Sequence, residues 1–154
     1  MPPKKLPPAL RKTADGLASY AAAYGAALAA LGLAGAAAHG FEAKAMHGVY
    51  GGCGGLAVMA ACAAVIRFGS DRSIVFAGVV ASLVFELLFL IVFVVQALRS
   101  VLHPEKRGRA ALFALNTAAS AAALYAGAKP VVPQVWPVLK KKGMEKMMAL
   151  MKKK

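Results

Sequence analysis

Glu86 is the residue with the clearest potential for chemistry in this sequence. It lies near the middle of the apolar stretch 74–98, about 12 residues from either end. A carboxylate in the hydrocarbon core of a membrane costs several kcal/mol, so such residues usually face a bundle interior or a polar path. Ser82, one helical turn away, and Ser120 and Asn116, in a later apolar stretch, are the polar groups expected at similar depth.

Three roles are open for this glutamate. It could be a protonated or hydrogen-bonded group that fixes the register of neighbouring helices. It could take part in moving a proton, an ion or an amphiphile, or it could form a salt bridge to another subunit. Because no Lys, Arg or His lies deep in an apolar stretch, the relay of charged groups that a pump requires is missing from the sequence. We therefore favour the structural role.

The histidines and cysteines predict no catalytic or metal centre. His39, His47 and His103 all fall at or near one membrane face, and coordination stays open only because His39 and His47 flank a turn. Cys53 and Cys62 lie inside an apolar run, without a CxxC motif or a Cys/His cluster, and are interpreted as small apolar residues. The sequence also has no nucleophile–base–acid set, phosphate-binding glycine loop or paired carboxylates. We predict a protein that is not an enzyme and has no cofactor.

Composition identifies the elements that position these residues. The chain has 154 residues, 60% of them hydrophobic, and a mean hydropathy of +0.62, which exceeds what a short soluble domain can bury. We predict an all-α membrane protein with four transmembrane helices in an up-down bundle. The predicted spans are residues 17–38, 45–66, 74–98 and 110–128.

Glycine and alanine patterns predict close contacts between these helices. In the second span, Gly48 and Gly52 form one GxxxG motif, and Gly51 and Gly55 form a second, overlapping one. Small residues also recur every four positions in the first span, in rows that include Gly25 and Gly32. In the fourth span we predict a packing face of alanines at the same spacing: Ala114, Ala118, Ala122 and Ala126.

The two ends of the chain are basic. Residues 1–16 form a tail with Pro and Lys, in which we expect no regular helix before Asp15 or Gly16 and a helix cap at Thr13 or Asp15. A second cap, for the third span, is expected at Ser70 or Asp71.

Residues 129–154 are predicted as a Pro-rich extended strip followed by a basic amphipathic surface helix. The strip is expected around Pro130, Pro133 and Pro137. Anionic lipid such as cardiolipin, or a partner protein, would bind this segment. The surface that we assign to it consists of Trp136, Lys140, Lys141, Lys142, Met144, Met147, Met148 and Met151.

The charge distribution predicts orientation and argues against nucleic acid. The net charge is +13, but the bases lie at the ends and in the loops, and no nucleic-acid-binding motif accompanies them. With four spans, 14 of the 19 Lys and Arg residues lie on the side of the termini and five on the other side. Both termini should therefore face the matrix, stroma or cytosol.

The first two spans carry a family resemblance. GLAG at residues 32–35, the turn that ends HGFEAKAMHG, and GVYGGCGGLAVMAA resemble the glycine-patterned hairpin of the transmembrane-14 family, and EKRGRAALFALNTAAS resembles its basic loop and last helix. The resemblance extends over roughly residues 17–128. It implies a small helical protein of mitochondrial or chloroplast envelope membranes, in a family linked to movement of fatty acids or porphyrin precursors. The long third span and the basic tails depart from the family pattern, and no functional residue is carried over.

Two functional classes follow from these features. The first is a non-catalytic accessory subunit of a large organellar membrane complex, such as a respiratory-chain complex or ATP synthase. Its location would be the mitochondrial inner membrane, with the plastid envelope or thylakoid as alternatives, and its partners would be other membrane subunits. The second, which the resemblance implies, is a small transmembrane carrier or exporter of an apolar or amphipathic metabolite.

Overall fold

Four long helices make up the part of the protein that the structure describes. The computed structural model describes residues 7–103 and 108–151, and no strand occurs in those two ranges. Each helix is long and apolar enough to cross a membrane, which confirms an all-helical, membrane-type protein. The helices are α1 (Pro8–Ala38), α2 (Ala43–Phe68), α3 (Arg72–Leu102) and α4 (Ala110–Met151).

Helix α1 begins earlier than the sequence patterns predict. Pro7 is the N-cap and Pro8 occupies the first helical position, where its missing N–H is not needed and its fixed φ angle suits a helix. The predicted start at Asp15 or Gly16 and the predicted caps at Thr13 or Asp15 are therefore wrong. Asp15 lies within α1, where its carboxylate is 3.4 Å from Arg11 Nε one turn earlier.

The turn between α1 and α2 and the start of α3 follow ordinary capping chemistry. Gly40 and Phe41 both have positive φ angles, 64° and 56°, and Phe41 N donates to Ala36 O at 2.9 Å, which closes the end of α1. At α3, the Asp71 side chain accepts from Ser73 N at 3.1 Å. This confirms the predicted cap.

Helix α4 continues where an extended strip was predicted. One helix runs from Ala110 to Met151 through all three prolines, so the prediction of a non-helical strip is wrong. A proline inside a helix removes one backbone donor and its ring crowds the carbonyl four residues earlier, so each of these prolines costs helix stability. The helix nevertheless continues through all three, which are spaced by three and four residues. Residues 129–151 thus extend the fourth span as part of the same helix.

The core lies between α1, α2 and α3, with α4 completing it. Tyr24, Leu28, Met59 and Ile66 are all at most 4% exposed, and small alanines of α1 surround them. Helix α4 contacts α1 directly, since Tyr20 Oη donates to the Ala122 carbonyl at 3.2 Å. This arrangement places the middle of α3 against all three other helices.

The face by which α4 joins this core differs from the predicted one. Asn116, Ser120, Ala123 and Gly127 are buried, whereas Ala114, Ala118 and Ala122 of the predicted alanine row are exposed. The prediction of that row as the packing face is wrong. Tyr24 of α1 and Glu86 of α3 lie at the bundle centre. The face of α4 that contacts them carries Ser120, which bonds Tyr24, and Gly127, which lies against Glu86.

Candidate functional site

Glu86 lies at the centre of the bundle and is 1% exposed. Its Oε1 atom accepts a hydrogen bond from Ser82 Oγ at 3.1 Å, one turn earlier on the same helix. Its Oε2 atom is buried and has no hydrogen-bond partner within the described residues. The carboxyl group lies against Gly127 of α4, where a Cβ atom would come within 3.3 Å of Oε2. The absence of a side chain at residue 127 therefore makes room for the acid.

The other three helices surround this carboxyl group with polar atoms. Tyr24 of α1 hydrogen-bonds Ser120 of α4, with 2.5 Å between the two oxygens, and Ser120 Oγ also donates to the Asn116 carbonyl at 2.8 Å. Two groups, Tyr24 of α1 and Cys62 of α2, lie close enough to Glu86 to interact with it electrostatically. Four helices thus contribute to one polar centre, which we call the Glu86 centre and define by Tyr24, Cys62, Ser82, Glu86 and Ser120.

This centre has the composition of a packing element more than that of a reactive site. The hydroxyl groups bond within the protein, and a carboxyl group at this depth costs the least free energy when it is buried and hydrogen-bonded. Asn116 is also inward-facing, but its Nδ2 atom donates to the Leu112 carbonyl of its own helix at 2.9 Å. The predicted intramembrane polar residues therefore all lie inside the bundle, and Ser82 and Glu86 bond each other directly.

Five of the six predicted packing glycines, all except Gly51, line the interface between α1 and α2. A Cβ atom at Gly52 would lie 2.6 Å from the Leu28 carbonyl, and one at Gly32 would collide with the Gly48 carbonyl. A Cβ atom at Gly25 would lie 2.9 Å from Met59 Cβ, and one at Gly55 would lie 2.7 Å from Leu28 Cδ1. Gly51 is different, because a Cβ atom there would have no heavy atom within 4 Å.

A cavity of about 440 Å³ lies beside Gly51, at the end of the bundle where α1 ends and α2 and α4 begin. Glu86 is not among its lining residues. The polar groups that line it are His39, His47, Gln96, Arg109 and Asn116. Sequence reasoning missed this cavity. The signal that could have found it is the excess of glycine in α2. Glycines on one face allow α1 to come close, and glycines on the neighbouring face leave space because they have no side chains.

The histidines are only partly brought together. His39, which caps the end of α1, and His47, in the second turn of α2, line the same cavity, whereas His103 follows the end of α3 and does not line it. Among the described residues, no group of three or more His, Cys, Asp or Glu side chains is placed to hold a metal ion. Cys53 is exposed and Cys62 is buried.

The predicted C-terminal surface is described only in part. Lys140, Lys141 and Met144 are exposed on the extension of α4. The remaining predicted side chains of this surface, those of Trp136, Lys142, Met147, Met148 and Met151, lie outside the part that the structure describes. That this segment binds anionic lipid or a partner protein stays a prediction.

Comparison with known proteins adds no further assignment, because no protein-family model, curated protein or solved structure matches this chain.

Proposed function

We propose that this protein is a non-catalytic accessory subunit of a large organellar membrane complex, of the kind found in the respiratory chain or ATP synthase of the mitochondrial inner membrane. The observation that carries this proposal is the outer face of α3. This helix is the most hydrophobic of the four, and 22% of its most apolar window is buried inside the chain, the same share as in the much less hydrophobic α4. A helix with so much exposed apolar surface suits a protein that packs against other membrane subunits.

Within a wide exposed face of α3, which also includes Phe76, Leu88 and Val95, seven side chains form a regular row. They are bulky, apolar and spaced alternately by four and three residues, and each is at least 38% exposed: Val80, Val84, Leu87, Ile91, Val94, Leu98 and Val101. Spacing of this kind is that of a helix seam that interlocks with a second helix at a crossing angle near +20°. The row extends over 22 residues, from Val80 to Val101, and covers roughly 32 Å of helix, which is about the thickness of the hydrocarbon layer. We infer that its partner is another transmembrane helix.

The Glu86 centre supports the same function in a different way. A buried acid that bonds only within its own helix holds α3 in one rotation about its axis, because turning the helix would expose the carboxyl group to lipid. That rotation directs the bulky row outward. The proposed arrangement is an up-down bundle with both termini on the matrix, stroma or cytosol side. Contacts such as Tyr24 with Ser120 and Gly52 with Leu28 are consistent with it.

Migration of the chain on a blue-native gel of gently solubilised native membranes tests the proposal. We expect the chain to run with an assembly far larger than its 15.9 kDa mass. Replacing Leu87 and Ile91 together by alanine should release it, because both side chains belong to the exposed row of α3. Leu115→Ala is the matched control, since Leu115 is 58% exposed on α4 and lies outside the row. A chain found only as a monomer or small oligomer would refute the subunit role.

A second candidate function is a carrier for an apolar or amphipathic metabolite such as a fatty acid or porphyrin precursor. The cavity of about 440 Å³ favours it, as does the resemblance of the first two spans to the transmembrane-14 family. Glu86 was expected to be the polar contact for the cargo, but it lies outside the cavity lining. Flux in reconstituted vesicles tests this candidate with Glu86→Gln. Unchanged flux would remove Glu86 from any transport mechanism.

A further inference from the structure

The cavity extends along the bundle for about the depth of one lipid leaflet. Its wall on α1 begins at Leu28, and His39 lies at its outer end. Eleven residues of helix correspond to roughly 16 Å, about half of the ~30 Å hydrocarbon layer of a membrane. The cavity therefore runs from the level of the helix ends to near the middle of the bundle. A bilayer lipid chain occupies the same range of depth.

Apart from Asn116, whose Nδ2 atom donates to a carbonyl of its own helix, the inner part of the cavity is apolar and aromatic. Phe89, Phe93 and Phe113 line it together with aliphatic side chains from α1 and α4. The rings of Phe89 and Phe93 stack with 6.4 Å between their centroids, and Phe89 also contacts the edge of Tyr24. The volume falls within the usual 300–1,000 Å³ range of ligand sites. Such a wall suits a hydrocarbon chain and offers few partners to a polar solute.

The outer end of the cavity has the opposite character. Arg109, which is half-buried, and the two histidines His39 and His47 line it, and no Asp or Glu occurs among the described lining residues. The first turn of α2 also contributes through Ala45, at the end of the helix that carries partial positive charge. A guanidinium group presents several N–H donors in a fixed fork that matches phosphate oxygens. This end is therefore complementary to an anionic head group.

The cavity is open on one side. Gly51 of α2 and Val92 of α3 both line it and both are exposed; the Val92 side chain is 51% exposed. A ligand can thus leave part of itself outside, between α2 and α3. A lipid with two chains needs this kind of lateral opening, because only one chain fits inside the protein.

We propose that this cavity is a structural binding site for one anionic glycerophospholipid. The phosphate group lies at Arg109 and His47, and one acyl chain lies between Phe89, Phe93 and Phe113. The second chain remains in the bilayer. The site does not depend on the subunit role proposed above, because the lining residues all belong to this chain and none of them is in the exposed row of α3.

Lipid binding to the purified full chain in dodecyl maltoside, followed by native mass spectrometry, tests the proposal. The probes are dioleoyl phosphatidylglycerol and dioleoyl phosphatidylcholine, which share their acyl chains and differ in head-group charge. We expect the first phosphatidylglycerol to bind at least about tenfold more tightly, the scale of a charge-assisted hydrogen bond. Equal affinity for the two lipids would overturn the assignment of an anionic head group.

Two glycines in α2 provide a matched pair for the acyl-chain part. At both Gly51 and Gly54 an added Cβ atom meets no heavy atom within 4 Å, but only Gly51 lines the cavity. Gly51→Leu should weaken the binding of the first phosphatidylglycerol molecule at least about tenfold, since the leucine side chain fills the cavity and removes the space for several methylene groups. Gly54→Leu should change it less than about twofold. Equal effects would refute the site. Should Gly51→Leu not fold, Val92→Trp with Val94→Trp as control repeats the comparison.

Two arginines provide a matched pair for the head group. Arg109→Gln should reduce the preference for phosphatidylglycerol to within about twofold, whereas Arg99→Gln, at an exposed position outside the cavity lining, should retain it. Arg109→Lys should keep part of the preference. Sodium oleate is the competing occupant, with one chain and a carboxylate. Displacement of phosphatidylglycerol by equimolar oleate would overturn the phospholipid assignment, and failure to displace it supports the assignment.

Discussion

The interface between α1 and α2 consists of glycines in close contact, whereas the outer face of α3 consists of large aliphatic side chains, although both surfaces belong to apolar helices of one bundle. Between α1 and α2, glycines bring the backbones together so closely that a Cβ atom at Gly52 would lie 2.6 Å from the Leu28 carbonyl. On α3, Leu87, Ile91 and Leu98 extend outward and are 45–59% exposed. Helices in a membrane gain little from burying apolar surface, because lipid is equally apolar. Contacts within the chain therefore depend on fit, and bulky side chains are left for lipid or a partner.

Gly52→Val should have the largest effect on the stability of the chain itself. Its side chain would meet the Leu28 backbone, which cannot move without separating α1 from α2, and we expect a loss of about 3 kcal/mol in the free energy of unfolding. Unfolding of the purified protein in mixed detergent micelles by SDS, followed by circular dichroism, measures it. Gly54→Val is the control and should change stability by less than about 0.5 kcal/mol. Similar losses for both would show that the close contact does not determine stability.

Replacement of Glu86 should have the next largest effect. Glu86→Ala leaves a space in the bundle and removes the acceptor of the Ser82 hydroxyl, with an expected loss of about 2 kcal/mol. Glu86→Gln keeps the shape and an acceptor oxygen, so we expect a loss below about 1 kcal/mol. The same SDS titration compares the two variants. Equal losses would mean that the acid itself, and not its volume and hydrogen bond, stabilises the bundle.

Tyr24→Phe should cost less, about 1 kcal/mol, because it removes one interhelical hydrogen bond and leaves the ring in place. Ser120→Ala removes the same bond from the other side. In a double-mutant cycle the two changes should therefore be non-additive by about the same amount. Additive losses would indicate that the hydroxyl groups stabilise the protein independently of each other.

Ile91→Ala should have the smallest effect on the isolated chain. Ile91 is 51% exposed, so we expect less than about 0.5 kcal/mol, whereas Met59→Ala, at a fully buried position, should cost about 2 kcal/mol. Thermal unfolding in detergent distinguishes these two. A large loss from Ile91→Ala in the isolated protein would show that the outer face of α3 is packed within the chain, which would contradict its proposed role as a contact surface.

Several features of the fold were predictable because they depend on local chemistry. Four apolar stretches of sufficient length predict four helices, and Asp71 before an apolar run predicts a cap, since a carboxylate there accepts free N–H groups of the first turn. Other local inferences failed. Pro8 begins a helix, because at the first helical position its missing N–H is not needed. Pro130 lies inside a helix despite the hydrogen bond that it removes, which local sequence rules do not predict.

The candidate sites divide in the same way. That Glu86 would be buried near Ser82 follows from spacing along one helix and from the cost of exposing an acid to hydrocarbon. That Gly127 makes room for its carboxyl group, and that Ser120 bonds Tyr24 across 96 positions, could not be inferred from spacing, because both depend on how α4 is rotated against the other helices.

The sequence determined that the chain forms apolar helices, that an acid lies deep in one of them and that α1 and α2 have surfaces smooth enough to touch. The tertiary structure decided which glycines touch, which face of α4 turns inward, and that a cavity lies beside Gly51 between Phe89, Phe93 and Arg109. Composition and period specify the surface of each helix, but a cavity belongs to several helices at once. Its existence depends on their relative rotation and separation, which no single helix encodes.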